Sequence, residues 1–149
     1  MMKKYEAQIA GRLWVFPQIN IVVDALGRRS ISIEDTKKMD KAVALEVCGE
    51  TASLTLHEFE FLVSLTSSKN AEIAAVIYTE PSTISNWRKR QIKKIPQLES
   101  NVLRKFFLAK IFNDYFDDDK LNNLLFIGNE IIRLKEEIEK KSDYKVLLI

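Results

Sequence analysis

The stretch Ser82 to Lys94, S-T-I-S-N-W-R-K-R-Q-I-K-K, concentrates side chains able to do recognition chemistry. Ser82, Thr83 and Ser85 carry short hydroxyls. The Asn86 amide has the paired donor and acceptor that fit an adenine edge, a contact typically worth about 1–3 kcal/mol of discrimination. Arg88, Lys89, Arg90, Lys93 and Lys94 then place five positive charges in seven residues. Arg88, Lys89 and Arg90 are long enough to reach a base or a phosphate, whereas Lys93 and Lys94 suit the phosphate backbone. Phosphate contacts fix position without reading sequence and make binding salt-dependent.

The charge is local. From Pro81 to Lys110 there are eight basic residues and one acidic, Glu99, so this segment carries +7 in a chain whose net charge is +2. A basic stripe on a nearly neutral chain is the electrostatic footprint expected of a nucleic-acid reader.

Other reactive side chains do not assemble into a site. His57 stands beside Glu58 in the first turn of an expected helix and reads as a surface residue, with no positioned nucleophile to serve. Cys48 is the single cysteine. It can form no intramolecular disulfide and no cysteine metal site within one chain. Asp114, Asp117, Asp118 and Asp119 lack the glycine and terminal glutamate of a calcium loop and read as an acidic helix end. With four glycines and no glycine-rich phosphate loop, the expectation is a protein that is not an enzyme and needs no cofactor or metal. The opening M-M-K-K-Y-E lacks an apolar leader, no run is long enough to span a bilayer, and the cytoplasm is the default compartment.

The elements that must position these residues fall into three regions and predict an α+β fold. Residues 1–50 read as a small, mostly antiparallel sheet with strands at 5–10, 13–16, 19–23, 31–33 and 42–47. Gly11, Pro17, Gly27 and residues 36–40 supply the turn signals, and a helical turn near 22–26 or 35–41 stays open. Residues 54–120 read as helices. Thr55 and Glu58 fit a capping box, with Leu54 and Phe59 as its hydrophobic staple. Residues 67–70 break that helix and offer caps for a second, over 71–78. Pro81 suits the first turn of a third, over 81–91, and a longer amphipathic helix follows over 100–116. In the tail, 121–149, Leu124, Ile127, Ile131, Leu134 and Ile138 keep the 3-4 spacing of a heptad seam. That seam either packs on its own domain or pairs with a second copy. The last six residues are strand-like and need a partner or burial.

Residues 71–90, A-E-I-A-A-V-I-Y-T-E-P-S-T-I-S-N-W-R-K-R, resemble the helix-turn-helix of the phage-repressor-like (Cro/XRE-type) DNA-binding family. Ala74 stands where two helices must cross closely. Ile73, Ile77, Ile84 and Trp87 stand where the pattern needs apolar packing. Two positions depart from it: Tyr78 replaces the glycine usual in the turn, and Thr79 replaces an apolar residue. The resemblance implies that helix 81–91 enters the major groove of double-stranded DNA, with Ser82, Thr83, Ser85, Asn86 and Arg88 to Arg90 facing it. It also implies a homodimer meeting two half-sites, for which the 124–138 seam is the candidate contact, and a regulator that represses by occupying an operator. A looser likeness joins Cys48-Gly49-Glu50 to antitoxin-type regulators with an N-terminal zinc ribbon. Here Leu45 replaces the first knuckle cysteine, so zinc is unsupported. The alternative function is an antitoxin-like or adaptor module whose residues 1–50 bind a protein partner.

Overall fold

The structure, a computed structural model, describes residues 5–16, 22–50, 52–112 and 147–148. Strands β1 (Tyr5–Ile9) and β2 (Arg12–Phe16) form an antiparallel hairpin in the register Tyr5↔Phe16 to Ile9↔Arg12. Its tight turn uses left-handed backbone at Ala10 and Gly11. The φ of 79° at Gly11 favours glycine, and a Cβ there would stand a tight 3.2 Å from that of His57. A separate pair, β3 (Val22–Val23) and β4 (Arg29–Ser30), leads into five helices. These are α1 (Ile33–Cys48), α2 (Leu56–Thr66), α3 (Asn70–Val76), α4 (Pro81–Lys89) and α5 (Gln97–Ile111). Near the C-terminus β5 (Leu147–Leu148) pairs antiparallel with β2, which gives the strand-like end its partner. The α+β class expected from the sequence is the one observed, with helix dominating.

The N-terminal reading needs one correction. Residues 33–48, expected to supply strands at 31–33 and 42–47, form a single 16-residue helix. Ser32 caps it, its hydroxyl accepting the Asp35 N–H, and Glu34 and Asp35 complement the positive helix end. The run from Ala42 to Leu45 is buried at every position and so shows no period. A continuous apolar run is compatible with a buried strand or a buried helix. The absence of Gly and Pro permits the helix, and packing against α5 and α2 selects it.

One hydrophobic cluster joins the regions. Trp14 and Phe16 of β2 and Met39, Val43 and Val47 of α1 pack with Leu54, Phe59, Leu62, Leu103 and Phe107 of the later segments. The first fifty residues and the helices that follow thus share a core. Charged groups lie at its edge and within it. Arg12 bonds Glu50 at 2.6 Å, also bonds Glu58, and lies over the Trp14 ring at 5.1 Å. Burial alone would lower the Arg12 pKa, but hydrogen bonding and the two carboxylate charges raise it above its usual value. Arg104 is 2% exposed and its Nε has no hydrogen-bond partner, and burial lowers its pKa.

Cys48 closes the last turn of α1, fully buried, and burial pushes its thiol pKa up. The segment that the ribbon likeness would make a knuckle is the C-terminal end of this helix. Among the described residues no three His, Cys, Asp or Glu side chains are grouped to hold a metal, and no helix is long and apolar enough to cross a membrane. Leu124, Ile127, Ile131, Leu134 and Ile138, the acidic residues 114–119 and the far end of the helix expected over 100–116 lie outside the described residues.

Candidate nucleic-acid interface

The frame of the site begins at Thr55. Its hydroxyl accepts from the Glu58 N–H at 3.1 Å while the Glu58 carboxylate accepts from the Thr55 N–H at 2.8 Å, completing the expected capping box. The same end of α2 is stitched to the segment after α4. Ile95 N–H donates to the Leu54 carbonyl at 2.7 Å, and Leu56 N–H donates to that of Lys93 at 3.3 Å. The buried Ser100 hydroxyl accepts from Leu54 N–H and donates to the Ile95 carbonyl, both at 3.0 Å. These bonds hold Lys93 and Lys94 on a short extended segment with both side chains exposed.

The two helices that could dock on a ligand pack as the residue types require. Ile73 and Ala74 of α3 and Ile84 of α4 are at most 1% exposed. Ile77, at the C-terminal end of α3, and Trp87 are half-buried against the core. Trp87 meets the Phe59 ring edge-on, with centroids 5.8 Å apart. Residues 67–70 end α2 as expected, but none caps α3 by its side chain: Lys69 is the N-cap, and Ser68 bonds Thr66 and Lys110 instead.

Residues 77–80 link α3 to α4. Tyr78 takes the left-handed conformation, φ 55°, that the missing glycine would have adopted most cheaply. Its N–H donates to the Ala75 carbonyl and that of Thr79 to Ala74, so α3 is closed by the usual pair of C-terminal bonds. Thr79, the other departure, is half-buried and donates its hydroxyl to Thr83 at 2.9 Å. A hydrogen bond to the first turn of α4 stands in for the apolar contact. Pro81 occupies the first turn of α4, as its missing N–H permits.

The outer face of α4 presents Ser82, Asn86 and Lys89, exposed and spaced i, i+4, i+7, so they share one stripe. Arg90, at the helix end, is exposed as well. Thr83 and Ser85 are half-buried, Ser85 being 3.4 Å from the Asn70 amide nitrogen. Arg88 departs from the sequence expectation. Its Nε donates to Glu60 at 2.6 Å, its Nη1 donates to the Asn70 side-chain oxygen at 2.6 Å, and its guanidinium lies 5.8 Å from the Phe59 ring centroid. The planar fork of arginine suits this three-way clamp between α2, α3 and α4. Arg88 is thus half-buried and held between α2 and α3, whereas Ser82, Asn86 and Lys89 are exposed. Glu60 and Asn70 were not legible as its partners, because nothing in the spacing of residues 60, 70 and 88 marks them as neighbours.

Lys89, Arg90, Lys93 and Lys94 make no ion pair with the described residues. Lys93 and Lys94 also border an open groove of about 910 Å³ walled by Gly11, His57 and Gln91. The arginines of that groove, Arg12 and Arg88, are paired with Glu50, Glu58 and Glu60, and Lys93 and Lys94 turn the balance of its charged lining positive, four cations against three carboxylates. The resulting surface combines an amide-bearing helix stripe that includes Lys89 with three further cations beside it, none of the four ion-paired among the described residues. It is suited to hydrogen-bond an edge of polar groups while neutralising a row of anions. Comparison with protein-family models, with curated proteins and with solved structures gave no match to this chain.

Proposed function

We propose that the chain is a sequence-specific double-stranded DNA-binding regulator that lays α4 in the major groove, with the phage-repressor-like resemblance of residues 71–90 as its sequence support. The observation that carries this reading is the joint exposure of Ser82, Asn86 and Lys89 on one stripe flanked by Arg90, Lys93 and Lys94, with none of these four cations in an ion pair among the described residues. Asn86 is assigned base reading and the four cations phosphate binding. Thr83 and Ser85 serve at the margin of the stripe, and Arg88 acts by holding α4 in place. No catalytic step, cofactor or metal enters this function. Two-fold pairing of chains would bring two α4 helices to half-sites about one helical turn apart, and repression would follow from occupancy of an operator.

Selection from a random duplex library tests this. The expected product is an enriched sequence with two-fold symmetry, and failure to enrich any sequence at moderate salt refutes specific binding. An enriched site without symmetry refutes the paired arrangement alone. On the enriched duplex Asn86→Ala abolishes preference over unrelated DNA but leaves residual binding. Replacing Lys93 and Lys94 together with alanine lowers the slope of log K against log salt by about 2, since each phosphate contact contributes about 0.9.

A further inference from the structure

Helices α2, α3 and α4 end on left-handed residues that are not glycine: Ser67 at φ 52°, Tyr78 at φ 55° and Gln91 at φ 48°. The hydrogen bonds closing each helix explain the conformation. They do not explain a tyrosine, because a bulky side chain is poorly accommodated in this region and glycine would serve the same turn without strain. The ring receives nothing from the fold in return, since Tyr78 is 98% exposed, the highest among the large exposed hydrophobic side chains of the described residues. Its position is also singular. Tyr78 lies three residues before Pro81, on the turn that delivers the N-terminal end of α4. Tyr78 and Ser82 thus stand four residues apart, both exposed, on the turn and on the first turn of α4.

We propose that Tyr78 is a contact residue for the sugar–phosphate backbone at the wall of the groove entered by α4, its ring lying on deoxyribose and its hydroxyl donating to a phosphate oxygen. The inference rests on the DNA-binding reading above. The phenol supplies an uncharged donor on an exposed turn. Tyrosine is among the side chains that bond phosphate, and such contacts set register on the duplex without reading bases.

The test separates strain from function, because one substitution moves them in opposite directions. Tyr78→Gly in the full chain relieves the left-handed strain, so the thermal midpoint rises by about 2–4 °C. The same variant binds about tenfold more weakly, as expected for loss of a hydrogen bond to a charged group. That loss is equal on the enriched duplex and on an unrelated one, with an unchanged salt slope because the phenol is neutral. Tyr78→Phe keeps the ring, loses the hydroxyl and falls between. Wild-type affinity in Tyr78→Gly overturns the proposal, as does a loss confined to the enriched sequence, which would make the ring a base reader. A weaker binder with a lowered midpoint also overturns it, by showing a structural role. In each of these cases the wild type still binds DNA and the reading of α4 stands. Failure of the wild type to bind any duplex removes both.

Discussion

Arg88→Ala distinguishes a residue that holds α4 in place from one that touches the proposed ligand. The substitution removes three contacts. The hydrogen bond to Asn70, at 2.6 Å, contributes about 1 kcal/mol. The ion pair with Glu60 joins side chains that are 33% and 44% exposed and, discounted for solvent screening, contributes about 0.5 kcal/mol. The guanidinium at 5.8 Å from the Phe59 ring centroid adds about 0.5–1 kcal/mol. Together these predict a loss of about 2 kcal/mol, and for a chain of this length a fall of about 4–8 °C in thermal midpoint. Circular dichroism melts measure it, and Arg88→Lys should recover less than half, since an ammonium cannot span the Asn70 and Glu60 oxygens as a planar fork does. Affinity for the enriched duplex should also fall as α4 loses its anchor, with the salt slope preserved. An unchanged melting temperature together with a salt slope lowered by about 1 would mean that Arg88 reaches a phosphate and that the clamp has been misread.

Two further outcomes follow from burial of ionisable groups. Burial raises the Asp40 pKa above its usual value, so the folded state favours the protonated form. Whatever stability Asp40 retains is fullest below the unfolded pKa near 4 and is lost as pH rises through the higher folded value. Asp40→Asn should therefore raise the thermal midpoint at pH 7, a gain that vanishes below about pH 4. A variant less stable at pH 7 would contradict this. Cys48 is fully buried with its thiol pKa pushed up, so thiol reagents should label it only as the chain unfolds. Labelling of the native protein at the rate of a free thiol would contradict its placement in the core.

Local rules, acting within a few residues, made much of the site readable from sequence. Thr55 and Glu58 specify their capping box whatever surrounds them, because both partners lie within one helical turn. Pro81 marks the start of α4 for a similarly local reason. The apolar positions Ile73, Ala74, Ile84 and Trp87 are legible because helical spacing places them on inward faces. The polar residues between them, Ser82, Thr83, Ser85, Asn86 and Arg88 to Arg90, were legible as a group, but which of them face solvent was not. The helix over residues 33–48 was not legible, because its buried run from Ala42 to Leu45 carries no period and the decision between helix and strand came from packing on α5 and α2.

What the sequence determined alone was therefore the location of the basic stripe, the helix ends near it and the α+β class, all consequences of interactions between near neighbours in the chain. Tertiary structure decided which of the cations are free. Arg88 and Lys89 are adjacent and look equivalent as text, yet one is drawn to Glu60 and Asn70 from two other helices while the other remains in solvent. That difference depends on how three helix axes cross, which is set by the shared packing of Phe59, Ile73 and Ile84 and by no residue within the basic run itself.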